Sequence, residues 1–213
     1  DSVTGQLNIG VTSLVCGYFL PYLLDRFRNT FPQVELRVVE DQREYIEHLL
    51  VNGELDVGVL IVSNLGNRQA LEAETLLESA YRLWLPVNHP LLELGTIAMG
   101  EMAQQPLVTL KLDELEDVAT TLWRSQGLRP TVAMRTSSVE GLRSLVATGA
   151  GLAVMPDLLY RPWSLDGDRV EVRQLMEATP SLKVGVAWRR GASVAETAQN
   201  FLTVAREYTR SHV

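Results

Sequence analysis

The sequence predicts an α/β fold, and three observations carry that prediction. Residues 7–62 alternate strand, helix, strand, helix, strand. Within them Asp56–Val62, DVGVLIV, is a nearly continuous apolar run, as a strand buried on both faces of a parallel sheet requires. Thr136–Pro156, TSSVEGLRSLVATGAGLAVMP, reads as a hydroxyl-rich turn into a helix, a glycine stop and another short buried strand.

Taken in order, Leu7 to Val11 alternates as a strand and is followed by Thr12 and Ser13. Leu20, Leu23, Leu24, Phe27 and Phe31 then share one face of a helix. Pro21 falls in its first turn, where a missing N–H costs least, and Pro32 closes it. Val34, Leu36 and Val38 alternate with Glu35 and Arg37 as a second strand. Glu40, Asp41 and Gln42 lead into a helix bearing Tyr45, Ile46, Leu49 and Leu50, which Gly53 stops. Ligands of open α/β sheets bind beyond the carboxyl ends of the strands. That places Thr12 and Ser13, and Asp41 to Arg43, along one edge.

Asn64 to Gln69 is a polar loop, Tyr81 to Val87 a strand, and Asn88-His89-Pro90 a turn. Met99 to Gln104 reads as a short helix, Leu107 to Leu110 as a strand and Leu115 to Gln126 as a helix. Val132 to Arg135 leads into Thr136–Pro156, where Ser137 and Glu140 have the spacing of a capping box. Val139, Leu142, Val146 and Gly149 then lie on one helical face. Trp163 to Asp168 reads as a surface loop, Val172 to Leu175 as an edge strand and Lys183 to Arg189 as a further strand. Ser193 and Glu196 repeat the capping-box spacing ahead of a last helix lined by Val194, Ala198, Phe201, Ala205 and Tyr208. No fixed-period repeat or low-complexity tract interrupts the chain.

Composition bounds the function. The 213 residues are 46% hydrophobic, enough for a core without disulfides or metal. A net charge of −7 argues against a nucleic-acid-binding surface. One cysteine, Cys16, allows no disulfide within the chain and no cysteine-rich zinc site. His48, His89 and His212 form no ligand-spaced pair, so no metal and no cofactor is expected. No run of ~18 apolar residues is present, so no membrane span is expected. The opening DSVTGQLNIG lacks the basic start and apolar core of a signal peptide. It resembles a domain cut from a longer chain, although a processed secreted protein would begin in the same way. There is no GxSxG elbow, no glycine-rich phosphate loop and no nucleophile–base pair with sequence support, so an enzyme is not expected.

Over nearly its whole length the chain resembles the effector-binding domain of LysR-type transcriptional regulators. The matching pieces are GQLNIGVT, LPYLLDRFRNTFPQVEL, LVNGELDVGVLI, PVNHPL, TSSVEGLRSLVATGAGLAVMP and AWRRGASVAETAQNFLTVARE. Each is weak alone; their order and spacing make the likeness. The resemblance implies two Rossmann-like subdomains joined by two crossing strands, as in type II periplasmic binding proteins. Subdomain I would be residues 7–78 with 183–213, and subdomain II residues 79–182. The crossings would be Ser79 to Leu85 and Lys183 to Trp188.

The resemblance further implies a cytoplasmic, ligand-sensing domain with a small-molecule effector, carboxylates being the commonest theme, in the interdomain cleft. Position by position it points to Thr12, Ser13, Gln42, Arg43, Leu110, Lys111, Thr136, Ser137 and Ser138. They would donate hydrogen bonds to a polar or carboxylate group, helped by helix N-termini. The family often has glycine at the position of Asp41 and serine or threonine at that of Arg43. Here Arg43 could clamp an anion, Glu40, Asp41 and Glu44 could hold an ammonium group, or these charges could pair with one another. The family's winged helix-turn-helix is not found in these residues, so DNA contact is expected only through that missing N-terminal domain. A homodimer or higher oligomer is implied. Its expected faces are the Phe19 to Thr30 helix and Val34 to Val39 strand of one copy against the Leu115 to Gln126 or Val139 to Thr148 helix of the other. Tyr18 and Tyr22, off the core stripe, would be available for such a contact. The peroxide sensors of the family need two cysteines, which excludes that mechanism within this chain. The alternative reading is a periplasmic solute-binding protein of a transport system, which would share the fold.

Overall fold

The computed structural model describes residues 3–212. In chain order the elements are β1 (Gly5–Val11), α1 (Ser13–Tyr18), α2 (Leu20–Thr30), β2 (Val34–Glu40), α3 (Arg43–Val51), β3 (Val57–Ile61) and β4 (Leu71–Ser79). There follow β5 (Tyr81–Pro86), β6 (Thr96–Ile97), α4 (Met99–Met102), β7 (Leu107–Leu110), α5 (Leu115–Ser125), β8 (Val132–Thr136), α6 (Val139–Ala147) and β9 (Ala153–Pro156). The last three are β10 (Val170–Leu175), β11 (Leu182–Arg189) and α7 (Glu196–His212). Two compact units divide these elements. One runs to Glu78 and resumes at Lys183; the other is Ser79–Leu182.

The first unit is built on a five-stranded sheet of order β2-β1-β3-β11-β4. β1 pairs parallel with both β2 and β3, and β11 runs antiparallel to β3. All five residues of β3 are buried, as its unbroken apolar sequence requires. Pro21 stands in the first turn of α2, whose Leu20, Leu23 and Phe27 are buried. Phe27 meets Phe201 of α7 edge-on, with ring centroids 5.5 Å apart. On α3, Ile46, Leu49 and Leu50 pack with Leu55, Leu60, Val62, Leu65, Leu71 and Ala187. This packing needs Gly10 on β1, since a Cβ there would stand 2.6 Å from Leu55 Cδ1 and 2.8 Å from Ile46 Cδ1.

The second unit has a four-stranded sheet, β6-β10-β5-β9, and a parallel pair, β7-β8. Leu83, Leu85, Ile97, Met99, Met102, Leu107, Trp123, Leu152 and Val154 form its core cluster. Arg143 of α6 is fully buried. Its Nη1 donates to the Leu159 carbonyl at 2.7 Å, its Nη2 to Glu140 at 3.2 Å, and its guanidinium lies 5.5 Å from the Trp84 ring centre. Burial of a charge is tolerated here because hydrogen bonds and an aromatic face replace water.

Three local expectations are corrected. The cap of α6 is Ser138, whose side chain accepts from Gly141 N at 2.9 Å, and not Ser137 with Glu140. Thr136 Oγ1 accepts from Ser138 N, which holds the turn one residue longer, and Glu140 turns to Arg143. The last helix begins at Glu196, three residues beyond Ser193. β10 is interior, between β6 and β5, and not an edge strand. β4, a strand that the hydrophobic pattern does not predict, forms the edge beside β11.

Candidate functional site

In the first unit the expected residues gather at the carboxyl ends of β1 and β2. Val11 stands opposite Glu40 in register, and Asp41 N donates to the Val11 carbonyl at 3.0 Å. The chain then turns at Thr12 into α1 and at Gln42 into α3. Thr12 is 3% exposed, and its Oγ1 has no hydrogen-bond partner among the described residues. It caps α1 through its carbonyl alone, which accepts from Cys16 N at 2.9 Å. Ser13 is half-buried and Gln42 exposed. Gln42 begins α3 through its carbonyl, an acceptor for Ile46 N at 3.0 Å.

Arg43 is committed inside this unit. Its guanidinium binds Glu47 one helical turn on and lies 3.8 Å from Glu44. Glu47 is 5% exposed and accepts from Gly66 N at 3.0 Å and Asn67 N at 2.6 Å. The pair thus ties α3 to the loop after β3. Of the readings left open, internal pairing is realised, with a partner the charge pattern around Glu40–Glu44 did not suggest. The i,i+4 spacing of Arg43 and Glu47 was the available signal.

In the second unit the expected residues meet where β7 and β8 end side by side. Leu110 lies opposite Thr136, and Lys111 N donates to the Thr136 carbonyl at 2.8 Å. Leu110 is buried; Lys111, Ser137 and Ser138 are exposed. The hydroxyls of Thr136 and Ser138 each accept a backbone N–H, from Ser138 and Gly141. Acceptance anchors a lone pair and leaves the O–H proton to donate. These are two donors held in fixed positions at the start of a nine-residue helix, an arrangement suited to an anion.

Cys16, on α1 beside Ser13, is a poor nucleophile. Burial pushes its thiol up, and the Glu40 carboxylate adds to the effect.

A family model, the LysR substrate binding domain, matches residues 1–210. This chain belongs to the LysR substrate-binding-domain family. Among curated relatives, the uncharacterized HTH-type regulator YwbI of Bacillus subtilis is 23% identical over 98% of this chain and 67% of its own length. The dual regulator OxyR of Escherichia coli is 24% identical over 100% of this chain and 69% of its own. Among solved structures, HinK, a LysR family regulator of Pseudomonas aeruginosa, superposes with a TM-score of 0.88 at 24% identity, covering 100% of this chain and 73% of that one. The C-terminal domain of a probable LysR family regulator from Rhodococcus sp. RHA1 gives 0.87 at 26% identity, covering 95% and 99%. The effector-binding domain of BenM with its effector benzoate gives 0.82 at 15% identity, covering 99% and 95%. The LysR domain therefore has the two-subdomain, periplasmic-binding-protein-like fold that the resemblance implied. A transport binding protein is not favoured beside these regulators. Among the described residues no helix is long and apolar enough to cross a membrane.

Proposed function

We propose that this LysR domain senses a small carboxylate through the hydroxyl groups gathered at its strand ends. Thr12, Ser13, Gln42 and the backbone at Arg43 form one group; Thr136, Ser137 and Ser138, with Leu110 and Lys111, form the other. Each group offers hydrogen-bond donors suited to a carboxylate. The observation that carries the reading is the Thr12 hydroxyl, buried and without a partner at the carboxyl end of β1. Leaving a hydroxyl so placed costs about 1–3 kcal/mol, a cost a ligand acceptor removes. Benzoate, the effector of the structurally similar BenM, is a carboxylate of this size class.

The domain acts as a binding module rather than an enzyme. In the full regulator, occupancy would control transcription only through unequal affinity for two arrangements of the protein. DNA would be held by a separate N-terminal domain in the cytoplasm. We also propose self-association through the α2 and β2 face. Tyr22 is 75% exposed there, and Val38 and Val39 on the edge strand β2 are each 41% exposed. Sedimentation at micromolar concentration should show a dimer that Tyr22→Glu weakens.

A thermal-shift screen of small carboxylates, benzoate included, against matched amides and amines tests the ligand class. A compound at one hundred times its Kd adds about 2.7 kcal/mol of stability. Carboxylates should raise the midpoint, and Thr12→Val or Ser138→Ala should weaken the effect at least about fivefold in concentration. A screen in which no carboxylate acts, or in which both variants respond like the parent, refutes the reading.

A further inference from the structure

We infer that the second unit carries a ligand site of its own, under helix α5, for an organic anion with an apolar ring. It shares no residue with the strand-end groups and does not rest on their role. A cavity of about 590 Å³ lies between one face of α5 and the β7-β8 pair. That size lies within the usual range for small-molecule sites, roughly 300–1,000 Å³. From β7, Leu107 and Thr109 line it, Leu107 being also part of the core, while Val108 and Leu110 are buried and do not line it. Trp123, Leu128 and Val132 complete an apolar wall.

Two features make this wall a binding site rather than a packing gap. The first is Thr109, a lining residue whose Oγ1 is buried and has no hydrogen-bond partner among the described residues. An apolar gap has no use for such a group, and leaving it unpaired is costly. The second is charge. Arg124, Arg129 and Arg135 line the cavity against one carboxylate, Glu116, a surplus of two positive charges in a chain of net charge −7. Glu116 accepts from Arg135 Nε at 2.7 Å, which fixes the guanidinium. Among the described residues the guanidiniums of Arg124 and Arg129 form no ion pair with a carboxylate, and that of Arg135 meets Glu116 through Nε. A planar ring would lie along Trp123 and Leu128, with its carboxylate accepting from Arg135 and from the Thr109 hydroxyl.

The probe is 1-naphthoate, and the readout is the indole N–H resonance of Trp123, one of four tryptophans, in the 15N-labelled chain. It should shift saturably with added naphthoate, and 1-naphthamide should bind at least tenfold more weakly. Thr109→Val should raise the half-saturating concentration about fivefold, and Arg135→Gln tenfold or more. Ala119→Phe, which fills the cavity from α5, should abolish the shift. The other three indole signals report that each variant is folded. The isosteric Thr109→Val carries the test if Ala119→Phe is not. The double variant Thr12→Val, Ser138→Ala should titrate like the parent, which separates this site from the proposed effector residues. The inference is overturned by an unmoved Trp123 signal up to about 10 mM naphthoate. It is equally overturned if naphthamide binds as well, if the shift persists in a folded Ala119→Phe protein, or if the shift is lost in the double variant.

Discussion

Replacing Thr12 by valine should stabilise the ligand-free protein while weakening its response to ligand. Valine keeps the shape of threonine and removes one hydroxyl. That hydroxyl is on a residue 3% exposed, with no partner, and the side chain contributes no cap to α1. Nothing bonded is therefore lost, and a desolvation cost of about 1–3 kcal/mol is relieved. For a chain of this length each kcal/mol moves the midpoint by roughly 2–4 °C, so a rise of about 2–6 °C is expected after partial relaxation. Thr197→Val is the matched control. Thr197 is 8% exposed and its hydroxyl donates to the Gln6 carbonyl at 2.9 Å. The same substitution there leaves an acceptor unpaired and should lower stability by about 1–2 kcal/mol. Calorimetry and circular dichroism on both variants decide the matter. If Thr12→Val lowers the midpoint as Thr197→Val does, the Thr12 hydroxyl is satisfied in solution and its assignment to a ligand fails.

Two further predictions concern the frame around the site. Gly185→Ala would place a Cβ 2.0 Å from the Glu74 carbonyl oxygen, at least about 1.3 Å inside an ordinary contact of about 3.3 Å, and the obstacle is backbone. It should cost about 3 kcal/mol by prying β4 from β11, whereas Gly17→Ala, with nothing within 4 Å, should be near neutral in thermal unfolding. The Arg206 guanidinium, bonded to Glu74 at 2.6 and 2.8 Å, holds that carboxyl below its ordinary value of 4.5 against the opposing effect of burial. The lowered folded value means that this stabilisation is present above about pH 4.5 and is lost as pH falls through the folded value. Glu74→Gln should accordingly flatten the acid limb of a stability–pH curve, and an unchanged limb would refute the assignment.

The elements legible in the sequence are those whose packing is periodic. Val57–Ile61 is apolar throughout because both faces of β3 are covered, and α2 shows its core stripe in Leu20, Leu23 and Phe27. β4 was not legible. Its LEAETLLES pairs adjacent leucines with glutamates that look solvated, yet Glu72 and Glu74 are engaged by Trp188, Arg190 and Arg206 from more than a hundred residues away. β10 looked like an edge for the same reason, although Arg173 donates to the Leu92 and Leu94 carbonyls of a distant turn. The start of α6 was misplaced by one residue because Ser138, not Ser137, supplies the capping hydroxyl, with Thr136 holding the Ser138 N–H. Of the site, the positions of Thr12, Thr136 and Ser138 at strand ends followed from topology. Which hydroxyls are already bonded did not, because the absence of a partner for Thr12 or Thr109 is a property of packing.

The likeness to OxyR does not carry a thiol-based signal over to this chain. The match to OxyR, at 24% identity, covers all of this chain and 69% of that protein, yet these 213 residues contain a single cysteine. A disulfide within the chain is therefore not available, and the one thiol is driven away from its reactive thiolate by burial and by Glu40. What the fold offers is a strand end where the Thr136 and Ser138 hydroxyls are anchored by backbone N–H groups, and another where the Thr12 hydroxyl is buried and unpartnered among the described residues. Under the proposed function such donors would respond to occupancy, reversibly and in proportion to concentration. Any control they exert is bounded by the difference in the ligand's affinity for two states, typically 1–3 kcal/mol. A single buried hydroxyl satisfied in one state and orphaned in the other supplies a difference of that size. Under the proposed function, the Thr12 hydroxyl, buried and without a partner among the described residues, would be the group that supplies it.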